Sequence, residues 1–231
     1  MTNATSVQSL FNTIAPVYDR LNQVLSLGQH KIWKQMAVKW ADPKPGSQAL
    51  DLCCGSGDVA LMLADRVGPF GTVYGVDFSF DLLDIARERA AKAKNGDRVQ
   101  WIQADVLALP FDDSSMDCAT MSYGLRNVTD IPQSLAELYR VLKPGSTFAI
   151  LDMHRPSNPL VRGFQQWYLD NLVVPAAKQM GFTEEYAYIA PSLDRFPTGK
   201  EQVQLAQAAG FSQVVHYPIA EGTMGVLVGT K

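Results

Sequence analysis

Along the chain, short apolar runs alternate with longer stretches whose apolar residues recur at helical spacing. The runs fall at 48–52, 72–76, 99–103, 117–122 and 147–151, and the stretches 59–66, 82–93 and 132–142 between them read as helices. Strand, helix, strand repeated at this spacing predicts an α/β fold with a parallel sheet; near-continuous apolar strands fit a sheet covered on both faces. Turn chemistry agrees. Lys44-Pro45-Gly46 and Lys143-Pro144-Gly145 each lead into an apolar run, Gly68-Pro69-Phe70-Gly71 closes the first helix, and ALPFDDSSMD at 108–117 is a polar turn.

Three regions fall outside the alternation. Residues 1–44 read as amphipathic helix through Leu10, Phe11, Ile14, Tyr18 and Leu21, then Ile32, Trp33 and Met36. Residues 153–198 are aromatic and punctuated by proline, with Phe164, Trp167, Tyr168, Phe182, Tyr186, Tyr188 and Phe196. A helix at 202–209 and strands at 214–217 and 224–228 finish the chain. The expectation is one domain over 1–231, with 1–44 as a helical lid and 153–198 as a cap inserted before the last two strands.

Composition narrows the function classes. With 47% hydrophobic and 19% charged residues the chain can bury a full core. A formal charge of −3 with scattered Lys and Arg gives no stripe to track phosphates, so no nucleic-acid partner is expected. The N-terminus has no charged leader followed by an apolar core, and no apolar run reaches a bilayer's span. Three cysteines, Cys53, Cys54 and Cys118, are an odd number without zinc-ligand spacing. A cytoplasmic, metal-free protein is expected.

The chemistry concentrates at LDLCCGSGDVA, residues 50–60. A strand ends on Asp51, and Gly55, Ser56 and Gly57 lead into a helix that opens with Asp58. Gly55, Gly57 and Ala60 satisfy the permissive dinucleotide pattern G-x-G-x-x-G/A, in which a pyrophosphate lies on the helix N-terminus. The two carboxylates oppose that ligand: Asp58 can cap the helix itself, and both repel a doubly charged anion. They suit a cation. S-adenosylmethionine carries an ammonium, a sulfonium and a carboxylate but no phosphate, so Asp51 can receive its charged end while the glycines admit the adenosyl group. Asp77, with Phe78 after it, ends the second run twenty positions beyond Gly57, where a carboxylate takes both ribose hydroxyls of either ligand. Asp105 and Val106 follow the third run, placed for an adenine amino group and for apolar contact. Ser122 ends the fourth.

Together LDLCCGSGDVA, VYGVDFS, ADVLALPFDDSSMD and RVLKPG resemble class I S-adenosylmethionine-dependent methyltransferases. YDRLNQVLSLGQHKIWK (18–34) and YGLRNVTD (123–130) resemble the two signatures of the UbiE/MenG family, the C-methyltransferases of ubiquinone, menaquinone and phylloquinone synthesis. The resemblance spans nearly the whole chain. It implies a Rossmann-like three-layer sandwich with a seven-stranded, mostly parallel sheet and an antiparallel last strand. It also implies cofactor contacts at Ser56, Asp77, Asp105, Val106 and Ser122; the family more often has Thr at the position of Ser56. The stretch NPLVRGFQQWYLDNLVVPAA (158–177) looks like the cyanobacterial and plastid members, which methylate 2-phytyl-1,4-naphthoquinone.

Such chemistry needs the reduced quinol, because a quinone ring carbon is electrophilic and does not attack a methyl. Arg126, after the fourth strand, is the candidate quinolate stabiliser, with an ion pair to Asp130 as its structural alternative. Asn127 can orient the same oxygen or cap a turn. For a general base the candidates are His154, Asp19 and a water activated by Arg126, and no choice among them follows from the residues. A phytyl tail suits an apolar channel beneath the cap, and peripheral membrane contact and a homodimer stay open. The competing readings are a ubiquinone- or menaquinone-branch enzyme, a nicotinamide-dependent oxidoreductase, and a non-catalytic cofactor-binding assembly factor.

Overall fold

A computed structural model describes residues 28–179 and 189–231. Residues 1–27 and 180–188 lie outside it, and with them Leu10 to Leu21 of the expected lid, the candidate base Asp19, and Phe182, Tyr186 and Tyr188 of the expected cap. The described residues build a seven-stranded sheet from β1 (Gln48–Leu52), β2 (Thr72–Asp77), β3 (Val99–Gln103), β4 (Met116–Ser122), β5 (Leu142–Met153), β6 (Ser212–Ile219) and β7 (Met224–Thr230). Its order is β3-β2-β1-β4-β5-β7-β6. The pairings from β3 to β5 are parallel, and β7 runs antiparallel to both β5 and β6. The strand order therefore reverses between β1 and β4, where an open α/β sheet leaves a crevice beyond its carboxyl ends.

Side-chain alternation sorts each strand's residues into two layers. Leu50, Leu52, Ala119 and Met121 point towards helices α4 (Ile131–Val141) and α8 (Gly199–Ala208), packing with Leu135, Leu138 and Ala206. Ala49, Val73 and Cys118 point the other way, against Val38 of helix α1 (Gln29–Trp40) and Val59, Ala60 and Leu63 of helix α2 (Asp58–Val67). By the same alternation Asp51, Asp77, Thr120 and Ser122 face the α1–α2 side, so the polar strand ends converge in one layer. Helix α3 (Phe80–Ala90) completes the cover over β2 and β3.

Two boundaries differ from expectation for identifiable reasons. The second expected helix, 82–93, begins two residues earlier because Ser79 caps it, its Oγ accepting from the Leu82 N–H at 3.2 Å. The fifth strand, expected at 147–151, starts at Leu142, directly where α4 ends. Lys143-Pro144-Gly145 sits inside it, at an irregularity between the pairs Met116–Leu142 and Cys118–Thr147, with Gly145 at φ +81°. Beyond β5 come α5 (Pro159–Tyr168), a single π turn (Leu169–Val173), α6 (Val174–Gln179) and α7 (Ile189–Arg195). Of the aromatic residues in this stretch, Phe164 and Trp167 are exposed.

Candidate active site

Beyond the ends of β1, β2 and β4 lies a cleft of about 940 Å³, its open mouth included. The glycine loop that floors it is tightly wound. Cys53, Gly55 and Gly57 all have positive φ, at 51°, 54° and 83°. The two glycines play different parts. A β-carbon on Gly55 would meet open space, so its backbone faces the cleft, whereas one on Gly57 would collide with the Trp101 indole and with Ala86. Gly57 thus seats the loop against β3 and α3, and Gly75 is small for the same indole. The expectation that both loop glycines admit a ligand is corrected in this respect: Gly55 lines the cleft and Gly57 packs beneath it.

Asp77 holds the loop in place. One carboxylate oxygen accepts from the Gly55 N–H at 2.8 Å, the other from the Ser79 N–H at 2.9 Å. Burial raises its pKa, and these amide donors oppose the rise. Asp105 is exposed, accepts from the Leu107 N–H at 3.0 Å and stands at the cleft beside buried Val106. Asp51 is buried under the loop. Its Oδ1 accepts from the Thr120 hydroxyl at 2.7 Å on the neighbouring strand, while its Oδ2 has no hydrogen-bond partner. Burial pushes this carboxyl up to about 8 against the pull of Thr120; Asp58 adds to the rise and Lys34 opposes it. Ser122 Oγ is likewise buried without a partner.

Lys34 reaches the same floor from α1. Its ammonium lies 2.7 Å from Asp58 Oδ2 and 5.5 Å from the centre of the Tyr123 ring. Asp58 is the first residue of α2 and not its cap; Gly57 holds the cap position, and Asp58 Oδ1 accepts from the Val59 N–H at 2.9 Å. The picture of two bare carboxylates repelling an anion is therefore corrected. Asp58 is paired with a cation, and burial favours the neutral form of Asp51 in the ligand-free chain, so what the floor presents to a ligand is a buried carboxyl with one oxygen unfilled and an ion pair.

Of the expected cofactor residues, Asp51, Gly55, Ser56, Asp77, Phe78, Asp105, Val106 and Ser122 line this one cleft, and Asn127 joins them. Asn127 donates through Nδ2 to the Tyr123 carbonyl at 3.2 Å. Arg126 stands behind the lining. Its backbone N–H donates to Asp152 Oδ2 at 3.0 Å, and its guanidinium Nε is 3.9 Å from Asp152 Oδ1. The alternative pairing with Asp130 does not form, because Asp130 caps α4 by accepting from the Gln133 N–H. Arg126 Nε and Nη1 are buried without hydrogen-bond partners.

His154 is also outside the lining. Its Nδ1 is 3.0 Å from the Asp152 carbonyl, and its Nε2 is 2.8 Å from Gln202 Nε2 and 3.0 Å from His216 Nε2. Since Gln202 Nε2 can only donate, His154 carries its proton on Nδ1 and accepts at Nε2. Burial lowers its pKa, and a ring closed in on both sides has no route to the cleft.

Lys34, Tyr123, Cys53 and Cys54 line the cleft without having been singled out for chemistry. For Lys34 a signal existed: it shares a helix face with Ala37, Val38 and Ala41, so a cation sits on an apolar stripe. Burial raises the pKa of Cys53 and Cys54 well above the ordinary thiol range, and nearby carboxylates add to it. Among the described residues no group of three or more His, Cys, Asp or Glu is placed to hold a metal, and no helix is long and apolar enough to cross a membrane.

Known structures share this architecture. A SAM-dependent methyltransferase from Thermotoga maritima, described as a possible histamine N-methyltransferase, is 22% identical with a TM-score of 0.69, covering 96% of this chain and 99% of its own. Another from Aquifex aeolicus is 19% identical with a TM-score of 0.62, covering 91% and 96%. They establish the class I methyltransferase fold. Sequence relatives are closer. The 2-phytyl-1,4-naphtoquinone methyltransferase of Nostoc punctiforme is 65% identical over 231 residues, all of both chains. Its Synechocystis counterpart is 59% identical over 98% of this chain and 95% of its own, and the chloroplastic Arabidopsis thaliana enzyme 49% over 96% and 86%. Residues 1–231 match the ubiE/COQ5 methyltransferase family throughout, and the chain belongs to that family of enzymes.

Proposed function

We propose that this enzyme methylates a ring carbon of 2-phytyl-1,4-naphthoquinol, with S-adenosylmethionine as donor, in phylloquinone synthesis. Full-length identity of 65% to a relative named for that quinone carries the substrate assignment. The donor assignment is supported by the cleft floor, where Asp51 Oδ2 and Ser122 Oγ are buried and without partners. Such atoms cost stability unless a ligand completes them, and an ammonium can do so at the Asp51 oxygen and a hydroxyl or amine at Ser122 Oγ. Asp51 would hold the ammonium, Asp77 the ribose hydroxyls, Asp105 and Val106 the adenine, with Gly55 and Ser56 along the backbone. When bound, S-adenosylmethionine supplies an electrophilic methyl on its sulfonium.

The remaining work falls to the chain's own residues. Asn127, on the cleft wall, orients the quinol oxygen. Arg126 lies one residue away, where α7 packs on the 125–127 turn, and the N–H groups of its unpartnered Nε and Nη1 stabilise the oxygen once its proton has left. Loss of that proton makes the neighbouring ring carbon electron-rich enough to displace the sulfonium's methyl in line, the S–C pair returning to a neutral thioether that would leave as S-adenosylhomocysteine; the ring C–H proton then departs and aromaticity returns. We assign no base to His154, whose ring nitrogens are both engaged away from the cleft.

A phytyl tail dissolves in bilayers, and the enzyme's route to it is peripheral membrane contact through α5 and the turn after it. Leu160, Phe164, Trp167 and Leu172 form a solvent-facing stripe there, 84%, 63%, 51% and 48% exposed. Replacing Leu160, Phe164 and Trp167 by serine is expected to abolish co-sedimentation with lipid vesicles; undiminished sedimentation would remove that contact from the account. The test of the reaction is transfer of labelled methyl from S-adenosylmethionine to demethylphylloquinone with and without a reductant. Product only under reduction, labelled on ring carbon, is expected. Product with ubiquinone precursors alone would reassign the substrate, and turnover without reductant would overturn the quinolate step.

A further inference from the structure

The ionisable side chains around the cleft are lopsided in type. Asp51, Asp58, Asp77 and Asp105 line it, and among the described residues the lining holds one cation, Lys34. Placing a lysine there is costly: its side chain is only 5% exposed, on a helix face shared with buried His30, Ala37, Val38 and Ala41. A surface ion pair with Asp58 would not need that burial. The ammonium is held at one end of the cleft, 2.7 Å from Asp58 and over the Tyr123 ring, and its field already acts on Asp51.

We propose that Lys34 binds the carboxylate of the methyl donor's amino-acid end, while Asp51 takes the neighbouring ammonium. This rests on S-adenosylmethionine being the donor, and it adds a residue and an orientation to that reading. The amino-acid end is a zwitterion. Its cation is served by Asp51 Oδ2, but its carboxylate, in a cleft of aspartates, has one described basic side chain to turn to. With both charges matched, the amino-acid end lies at the α1 side and the nucleoside end at Asp77 and Asp105. Lys34 also ties α1 to the ligand, so a donor with an intact carboxylate clamps that helix onto the sheet and one without it does not.

The test compares S-adenosylmethionine with decarboxylated S-adenosylmethionine, which keeps the sulfonium and amine, by calorimetry on wild type and K34M. Wild type is expected to bind the intact donor roughly 10- to 100-fold more tightly, the usual range for a charge-assisted bond, and K34M to erase that gap while binding the decarboxylated form as wild type does. Hydrogen exchange should show α1 protected by the intact donor alone in wild type. A gap that survives in K34M would move the carboxylate to the loop amides and overturn the proposal. Equal loss of both ligands would make Lys34 a structural ion-pair partner and overturn it too. Absence of any binding to wild type would instead overturn the donor reading on which it rests. Should K34M fail to fold, K34Q carries the same comparison.

Discussion

Two buried polar clusters flank the sheet's centre, and they differ in what they leave unfinished. At the ends of β1 and β4, Asp51, Ser122 and Lys34 surround an open cleft, and two of their oxygens have no partner. Near the end of β5, the Asp152 carbonyl, Gln202 and His216 all close on the one His154 ring, the amide and the second imidazole both meeting its Nε2. Both are polar groups at strand ends, yet only the first has the geometry of a ligand site. The difference comes from topology. Strand order reverses between β1 and β4, which leaves a crevice open among the described residues, whereas antiparallel β7 lies against β5 and β6 against β7, bringing His216 over His154. Gly225 permits it, since a β-carbon there would strike both rings. Arg126 stands between the clusters, anchored to Asp152 on one side and next to cleft-lining Asn127 on the other.

The sharpest way to break this division is at that boundary. Arg126→Ala is expected to lower turnover by roughly 10²- to 10³-fold, as for loss of an oxyanion donor, with donor affinity nearly unchanged. Steady-state kinetics beside calorimetry separate the two, and equal losses in both would return Arg126 to the closed cluster as a structural residue. Asp77→Ala should weaken S-adenosylmethionine about 100-fold and also lower the melting temperature, because the same carboxylate holds Gly55 and Ser79. Unchanged affinity in a folded variant would refute the ribose assignment.

A subtler contrast lies in pH. Asp51 has its pKa raised from the ordinary 3.8 to about 8 in the folded chain. Its contribution to stability is complete below 3.8 and is lost as pH rises towards 8, because the unfolded state gives up a proton that the folded state keeps. Ligand-free Asp51→Asn should therefore melt higher than wild type at pH 8, with the gap closing towards pH 4, while binding the donor more weakly. A gap that widens on acidification would contradict the buried, protonated carboxyl. The closed cluster has the opposite sign. Burial pushes His216 from 6.5 down to about 4, with His154 adding to the fall. Between those values the unfolded state binds a proton that the fold refuses, so stability drops on acidification. His216→Gln keeps a donor for His154 and should shift acid unfolding to lower pH, with turnover within about twofold of wild type. A large loss of turnover would place this cluster in the reaction after all.

The open cluster was far more legible in the sequence than the closed one. Asp51, Asp77, Asp105 and Ser122 follow apolar runs that end in polar residues, and the strand-end rule for parallel sheets brings them to one edge without further information. The strands at 48–52 and 99–103 came out at the expected boundaries for the same reason. Lys34 was harder to read because its role depends on how α1 packs over β4 and α2, a tertiary fact that a helical period does not carry. The surroundings of Arg126 and His154 were hard to read for a related reason. Chain proximity offered Asp130 as a partner, but capping α4 had already claimed it, and only the pairing of β5 with β7 shows that His154 turns away from the cleft.

The most direct test of the division is calorimetric titration of S-adenosylmethionine and of NADH into wild type, Asp77→Ala and His216→Gln. The account predicts tight S-adenosylmethionine binding to wild type and to His216→Gln, loss of it in Asp77→Ala, and no heat from NADH in any of the three. NADH binding to wild type, or loss of S-adenosylmethionine binding in a folded His216→Gln protein, would contradict it.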